Sequence, residues 1–355
     1  MNSFNVDVST LARNRHLGVS GMMRVKNDAE FLEQCIESCI SALDELIIVY
    51  NDCSDNSPDI IRTMQNKYPD KIKIYEYTPD ILSFNLTPEQ YQLYKEGKIN
   101  KINTLANYYN YALSKTTRKY VLKIDADQIY FTERLKYICD IYRNRIKPAF
   151  PTLKAFLSFI EIFLYLRSNA LKYKDFVQED IISYLKVTDY LVSKFKLPVS
   201  LSGINIFRYG TEIFVPIGKI NDNSTILSPY NGVGDHLIFE VSDKTYFVPY
   251  ECKEYNIMIS SKRSIIERLM PIKHVLRYGL IWFHLNMNRK SIHEVQISNI
   301  ENNPESFIPI TKFCKEPFSK IREKIPIQLM SFNQKKYFSL IHDYQNISQE
   351  MNELY

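Results

Sequence analysis

Tyr120-Val-Leu-Lys-Ile-Asp-Ala-Asp127 decides the reading of the fold. Tyr120 to Ile124 is strongly apolar, as a buried strand is, and the run ends on two carboxylates. In extended backbone alternate side chains point the same way, so Asp125 and Asp127 face one site. Two carboxylates that close repel unless a cation lies between them. A hard divalent cation, Mg²⁺ or Mn²⁺, fills such a gap and can bridge to a diphosphate. A bare Asp-x-Asp can also be a solvated turn, or a helix cap through Asp127. Its place at the end of an apolar strand, in a series of strands and helices, gives it weight.

That series extends outward in both directions. Val19 to Val25 is a short strand candidate. From Phe31 the apolar residues fall at positions 31, 32, 35, 36, 39, 40 and 43, a helical period. Leu46-Ile-Ile-Val-Tyr50 is a continuous apolar run of the kind a buried parallel strand shows. Ser57-Pro58 opens a helix, with proline tolerated in the first turn, and Tyr68-Pro69 closes it. Ile72 to Tyr77 is a third strand, Asn103 to Ser114 a helix, Tyr120 to Ile124 the fourth strand and Thr132 to Arg145 a further helix. The order predicts an α/β fold, a mostly parallel central sheet with helices on both faces. Such sheets bind ligands at the carboxyl ends of their strands. Two polar clusters fall there, Asn51 to Asp55 and Asp125 to Gln128.

The second half gives weaker signals. Residues 146–198 are helical in pattern, amphipathic and aromatic, as an insertion or lid is. Ile204 to Tyr209 and Ile213 to Ile217 resemble paired strands, and Asn231 to Asp235 is a glycine turn. Lys273 to His293 is helix-like around Trp282-Phe-His284, and the tail from Pro317 is helical and charged. The expected division is therefore 18–145 for a nucleotide-binding half, 146–200 for the insertion, 201–300 for an acceptor-binding half and 301–355 for a helical tail.

Composition narrows the class. A chain of 355 residues, 45% hydrophobic and 24% charged, builds a core without disulfide or metal staples. Tyrosine and phenylalanine number 26 and 20 against one tryptophan, which suits carbohydrate contact but also follows from a general Ile, Lys and Asn bias. A net charge of +5 with no long basic block excludes a dedicated nucleic-acid binder. It fits an anionic nucleotide or an acidic membrane surface. Six scattered cysteines without a Cys-x-x-Cys pair read as free thiols of a reducing compartment. Met1 to Ser20 lacks a signal-peptide pattern, and the longest apolar stretch, Ala155 to Leu166, is short and broken by Glu161. A cytoplasmic location is expected, with peripheral contact at the inner face of the cytoplasmic membrane. Phe150 to Tyr173 is a candidate acceptor wall or membrane-surface patch, and core packing accounts for it equally.

Two further clusters carry polar chemistry. In Tyr50-Asn-Asp-Cys-Ser-Asp-Asn-Ser57 the short side chains cap a helix, or Asp52 accepts hydrogen bonds from a base or ribose. In Arg24-Val-Lys-Asn-Asp28, Arg24 and Lys26 neutralise phosphate or are solvated surface charges.

Together Met23-Arg-Val-Lys-Asn-Asp-Ala29, Tyr50-Asn-Asp-Cys-Ser-Asp55, Asn107-Tyr-Tyr-Asn-Tyr111 and Leu122-Lys-Ile-Asp-Ala-Asp127 resemble the GT-A glycosyltransferases of bacterial surface-glycan synthesis. They are particularly similar to the beta-1,4-N-acetylgalactosaminyltransferase family of Campylobacter lipooligosaccharide, and more broadly to family-2-like inverting enzymes. The resemblance covers roughly residues 18–140 and thins to islands beyond. It implies a Rossmann-like GT-A fold, a UDP-sugar donor, a Mn²⁺ or Mg²⁺ cofactor and a surface-glycan acceptor, lipid-linked in some cases. Asp52 would contact the uridine, Asp127 would chelate the metal, and Asp125 would approach the ribose or the metal's water shell. Arg24 and Lys123 would line the donor cleft, with Asn107 and Asn110 near the donor sugar. Lys26, Asn51 and Asp55 complete the expected donor set, although Asn51 stands where the commoner pattern has an aspartate. Gly232-Val-Gly-Asp-His236 resembles the segment that carries the general base, here Asp235, with Glu251 and Glu254 in reserve. Trp282-Phe-His-Leu-Asn286 resembles a segment whose histidine, here His284, reaches the metal. A helix cap at Asp235 and a buried hydrogen-bonded His284 are the structural alternatives.

Two rival classes remain at this stage. A sugar-nucleotide-forming nucleotidyltransferase shares the fold and metal but usually shows a glycine-rich first loop, and Met22 to Ala29 contains no glycine. A non-catalytic glycan- or nucleotide-binding protein would have no need of the pair Asp125 and Asp127.

Overall fold

The computed structural model describes residues 4–168, 173–218, 228–232, 234, 236–251, 263–270, 274–325, 332–345 and 350. In chain order the first elements are β1 (His16–Val25), α1 (Leu32–Ile40), β2 (Glu45–Tyr50), α2 (Ser57–Lys67), β3 (Ile72–Glu76), α3 (Pro88–Lys95), α4 (Leu105–Lys115) and β4 (Arg118–Asp125). Then follow β5 (Gln128–Tyr130), α5 (Thr132–Tyr142), α6 (Leu153–Arg167), α7 (Gln178–Phe195), β6 (Val199–Asn205), β7 (Phe207–Tyr209), β8 (Glu212–Pro216) and β9 (Tyr230–Asn231). The remainder comprises β10 (Leu237–Glu240), β11 (Tyr246–Glu251), β12 (Ile265–Met270), β13 (Leu276–His284), α8 (Lys290–Asn302), β14 (Phe307–Pro309), α9 (Ile310–Phe313), α10 (Phe318–Arg322) and α11 (Phe332–Tyr344). The chain forms two compact units. One comprises Met1–Ile36, Leu43–Ala126 and Ile238–Val275, the other Glu37–Ala42, Asp127–Leu237 and Leu276–Tyr355.

In the first unit the sheet order is β3-β2-β1-β4-β10, with the first four strands parallel and β10 antiparallel to β4. The α/β expectation and the mostly parallel sheet are met. Leu46 to Val49 are fully buried, which is why this run of β2 is apolar at successive positions rather than at alternate ones. At Gly21 in β1 a Cβ would come within 2.6 Å of Leu43 Cδ1 and 2.8 Å of Ile124 Cδ1, so only glycine admits both side chains. Helix α4 is buried from Leu105 to Leu113, and the antiparallel hairpin β11–β12 packs on it. Asn110 fastens the two: its Nδ2 donates to Phe247 O (2.9 Å) and its Oδ1 accepts from Phe247 N (2.8 Å).

In the second unit β6 pairs parallel with β13, β5 pairs antiparallel with β13, and β9 pairs antiparallel with β6. A smaller sheet of order β14-β8-β7 adjoins them in sequence, and its β7–β8 hairpin turns at Gly210, with φ of 60°. Lys273 to His293 is not helix-like as expected: Leu276–His284 is the strand β13. Its residues are buried at nearly every position. A strand covered on both faces shows no alternation, and its apolar run is indistinguishable by pattern from a buried helix. Trp282 fixes the pairing. It is wholly buried, and a Cβ at Gly203 would lie 1.9 Å from its Nε1, one at Gly232 2.5 Å from its Cζ2.

Residues 146–198 are largely the helix pair α6 and α7, as expected. Thr152 caps α6 by accepting from Ala155 N. Core packing explains one side of α6, where Phe159, Ile162, Tyr165 and Leu166 are buried. Its other side stays open, with Leu153, Leu157, Ile160 and Leu164 exposed. The described cysteines Cys35, Cys39, Cys53, Cys139 and Cys314 are free thiols. No described helix is long and apolar enough to cross a membrane.

A half-buried carboxyl on α7 makes the second unit sensitive to pH. Asp189 accepts from Tyr278 Oη (2.8 Å) and Tyr137 Oη (3.0 Å). Burial raises its pKa to about 6, against the opposing pull of the two hydroxyls. The unfolded carboxyl titrates near 3.8 and the folded one near 6, so the folded state holds the extra proton between them. Stability therefore falls as pH rises through that window. Replacing Asp189 with Asn should flatten the fall and stabilise the protein at pH 7 by on the order of 1–3 kcal/mol. Melting curves of both proteins from pH 4 to 8 test this, and parallel profiles would refute it.

Candidate active site

Most of the expected donor residues lie at or near the carboxyl ends of β1, β2 and β4 in the first unit, and Asn107 and Asn110 lie on α4. There the loops after β1 and β2 interlock. Asn27 Oδ1 accepts from Ser54 N (2.7 Å), Asp55 Oδ2 from Ala29 N (3.0 Å), and Ser57 Oγ from Asp28 N (3.0 Å). Asn27 and Asp52 adopt positive φ of 57° and 43°, a conformation asparagine and aspartate tolerate. Burial would raise the pKa of Asp55, but hydrogen bonds from Ser57 and Ala29 lower it overall. Asn51 is buried, its Nδ2 donating to Tyr77 O (2.6 Å) and Pro79 O (3.0 Å). That amide closes the chain turn after β3. Asp52 is exposed and forms a 3.3 Å ion pair with Lys26 Nζ.

Arg24, Lys123 and Asp125 belong to a charged cluster between the sheet and α4. Arg24 pairs in register with Asp125, and its Cζ lies 4.1 Å from the Tyr109 ring centroid. Burial by itself lowers the Arg24 pKa, but Tyr109, Glu267, Tyr108 and Asp125 outweigh it, so the guanidinium stays cationic. Lys123 Nζ lies 2.8 Å from Glu267 Oε1, with both side chains under a tenth exposed. It also sits 5.0 Å from the Tyr109 ring centroid. The sequence reading missed Glu267, a lone acid on a strand with no motif around it. Asn107 and Asn110 both line a cavity of about 230 Å³ with Tyr94, Lys101 and Phe247. Asn107 Nδ2 donates to Phe4 O and Tyr77 Oη, both at 2.8 Å, and its buried Oδ1 has no hydrogen-bond partner among the described residues.

The second unit assembles Asp127, His284, Asn205 and Arg289. Antiparallel pairing sets His284 opposite Gln128, parallel pairing sets it opposite Asn205, and Leu285 N donates to Asp127 O (2.8 Å). His284 Nε2 lies 3.4 Å from Asp127 Oδ1, and Arg289 Nη2 lies 3.0 Å from Asp127 Oδ2. Burial favours protonation of Asp127, but His284 and Arg289 hold its carboxyl well below the usual range. Arg289 is itself held by Asn286, whose Oδ1 accepts from its Nε (2.9 Å).

The imidazole is oriented from behind. Asn205 Nδ2 donates to Ser228 O (2.6 Å), which fixes the amide and turns its Oδ1 to His284. That oxygen accepts from His284 Nδ1 at 2.7 Å. With the proton on Nδ1 so assigned, Nε2 is the nitrogen that meets the carboxylate. It either carries a proton and pairs with Asp127 or is bare and ligates a cation. A hydrogen bond to the far nitrogen is the usual support of a metal-bound histidine. One carboxylate oxygen and one imidazole nitrogen are ligand types that divalent first-row metals accept, and they do not select among those metals. Among the described residues no group of three or more His, Cys, Asp or Glu gathers as a metal cage. Asn205 and Arg289 escaped the sequence reading because each is a single residue far in sequence from Asp127.

Of the proposed bases, Asp235 and Glu254 lie outside the described residues. Glu251 ends β11, where it accepts from Tyr91 Oη (2.7 Å) and pairs with Lys95 Nζ (2.8 Å).

Residues 2–170 match the model of a family described as Beta-1,4-N-acetylgalactosaminyltransferase (CgtA), so the resemblance read from the sequence is borne out over that span. No curated protein matches the chain. Among solved structures, Staphylococcus aureus TarS 1–349 in complex with UDP-GlcNAc is 12% identical over 95% of this chain and 92% of that one, at a TM-score of 0.32. Glucosyl-3-phosphoglycerate synthase from Mycobacterium tuberculosis, in complex with Mn²⁺, UDP and phosphoglyceric acid, is 17% identical, at a TM-score of 0.22. That match spans 35% of this chain and 38% of the synthase. Likenesses this slight carry no argument about function.

The buried pair of the first unit can be measured. Glu267→Gln removes the carboxylate against which the Lys123 ammonium is buried, and should cost about 3–5 kcal/mol of stability. Replacing both residues with apolar ones, Lys123→Met with Glu267→Leu, should recover most of that loss. Urea unfolding of the three proteins distinguishes the cases. Equal midpoints for wild type and Glu267→Gln would show that the pair contributes nothing.

Proposed function

We propose that the chain is an inverting glycosyltransferase that moves a hexose or N-acetylhexosamine from a UDP-sugar to a bacterial surface glycan of the lipopolysaccharide, lipooligosaccharide or capsule type. The observation that carries it is the set Asp127, His284 and Asn205, a carboxylate and a tautomer-fixed imidazole brought together by strand pairing. The family match over residues 2–170 supports the reaction class.

Asp127 and His284 Nε2 would hold a divalent cation, Mn²⁺ or Mg²⁺. Bound there, the metal would neutralise charge on the departing nucleoside diphosphate. Arg289 fixes the second oxygen of Asp127, leaving the first to the cation. Asp52 and Asp125 are assigned to the uridine and ribose, and Arg24, Lys26 and Lys123 to the phosphate side of the donor. Asn51 and Asp55 shape the loops that present them, and Asn107 and Asn110 stand on α4 toward the sugar. An inverting transfer also needs a base to take the acceptor hydroxyl's proton, and Asp235 is assigned to it. Glu254 is held in reserve, and Glu251 after it, since Tyr91 and Lys95 already occupy its carboxylate. The acceptor is proposed to be a glycan carried on a lipid.

Thermal-shift measurements with UDP, with and without Mn²⁺, test the donor site. A ligand that binds only the folded state raises the melting temperature, by the equivalent of about 2.7 kcal/mol at a hundredfold excess over its Kd. UDP should stabilise the wild type with Mn²⁺ present, and Asp127→Ala should lose that gain. If no nucleotide shifts the melt, the reading is wrong. Asp235→Asn should keep the UDP shift while transfer from the UDP-sugar stops, and retained turnover would remove Asp235 from the base role.

Asn205→Ala tests the imidazole's support. Manganese affinity, followed by the electron paramagnetic resonance of free Mn²⁺, should fall by about 10–100-fold. Nitrogen NMR of the metal-free protein should show the Nδ1-protonated tautomer of His284 depleted. An unchanged affinity and tautomer would leave Asn205 a purely structural residue.

A further inference from the structure

Helix α6 carries an apolar stripe that the fold leaves uncovered. Leu153, Leu157, Ile160 and Leu164 are 77%, 59%, 49% and 58% exposed, and Phe150 just before the helix is 76% exposed. The spacing of four, three and four residues puts the four helical positions on one face, a line roughly 16 Å long at 1.5 Å per residue. The opposite face, with Phe159, Ile162 and Leu166, is buried, so α6 is apolar on both sides. Single exposed leucines are ordinary, but an aligned row marks a docking face.

Charge identifies what the row fits. Between α5 and β6, residues 143–198 hold ten Lys and Arg against five Asp and Glu, an excess equal to the net +5 of the whole chain. Several of these cations border the stripe. Lys154 is 80% exposed in its side chain and only loosely paired with Glu179, at 3.8 Å. Arg167 is exposed at the far end, its Cζ 4.4 Å from the Phe163 ring centroid. Lys147 is exposed on the approach to Phe150. Of the acids on this rim, Glu161 is engaged by Lys174. An apolar helix face edged by cations suits the interface of an anionic bilayer, where leucines enter the acyl boundary and long basic side chains reach the headgroups. A second copy of the chain would bring the same basic rim against itself.

We propose that the α6 face of Leu153, Leu157, Ile160 and Leu164 docks the protein on an anionic lipid surface. The inference stands apart from the transfer chemistry, since lipid binding is read without donor or metal.

The test is sedimentation of the full chain with vesicles of phosphatidylcholine alone and of phosphatidylcholine mixed with phosphatidylglycerol. Wild type should sediment with the mixed vesicles, less so at high salt, and hardly with neutral ones. The double variant Leu157→Glu with Leu164→Glu should lower the partition coefficient by about tenfold or more. Both positions are exposed, so its melting temperature should match the wild type's. Ile160→Trp gives a second measure: its emission should shift to the blue on anionic vesicles, against the single native Trp282, which is buried. Absence of wild-type binding, equal binding by the double variant, or an unshifted Ile160→Trp emission would overturn the proposal. So would lipid-free self-association of the wild type that the double variant abolishes, which would make the stripe a contact between copies.

Discussion

Trp282 fills the space left by two missing side chains, and the second unit's sheet follows from that fit. Neither Gly203 nor Gly232 can acquire a Cβ without meeting the indole, and Asn231 Oδ1 accepts from its Nε1 at 3.0 Å. The indole thus locks β13 to β6 and to Asn231 and Gly232 at the end of β9. In a strand, the residue two positions on shares the same face. His284 is that residue, so packing that buries Trp282 also aims the imidazole. Register is strongly specified wherever a face is buried, because a slip of one residue would exchange the faces. Asn205 meets His284 for this reason, without needing a motif around it.

The two units manage buried charge differently. In the first, Arg24 and Lys123 lie against Tyr109, with Glu267 and Asp125 as counter-charges. Tyrosine faces accept cations at little desolvation cost, which lets two positive groups share a small volume. In the second unit a single carboxylate, Asp127, is met by both a guanidinium and an imidazole. Opposing charges keep Arg24 and Asp127 ionised despite their burial. Asp189 is the contrast: two neutral hydroxyls meet it, and burial prevails.

The first unit was legible because its strands are short apolar runs separated by turn residues and period-3.6 segments. β2, β3 and β4 fall where the apolar runs fall, and α4 where Asn103 to Ser114 repeats. Asp127 and His284 were legible through motif resemblance, and strand pairing explains how they meet. β13 was misread because covering both faces erases the alternation that marks a strand. The β11–β12 hairpin went unread, since exposed and buried positions mix along it with no clean period. The two apolar faces of α6 were equally hidden: the pattern shows an apolar helix, and only the packing shows which face α7 and α11 cover. Asn205, Glu267 and Arg289 belong to a third kind, single side chains whose roles exist only through contacts far apart in sequence.

The chemistry of Asn205 explains why an amide is suited to stand behind His284. A carboxylate there would also fix the tautomer, but it would stabilise the imidazolium. With Asp127 already on the other side, the ring would lie between two anions and hold its second proton firmly. A cation would then have to displace that proton before it could bind Nε2. The amide oxygen of Asn205 selects Nδ1–H through its dipole alone and leaves the charge of the ring to whatever occupies the Asp127 side. Arg289 holds one oxygen of Asp127 from the other side, at 3.0 Å, while the second oxygen keeps its place 3.4 Å from Nε2 of His284.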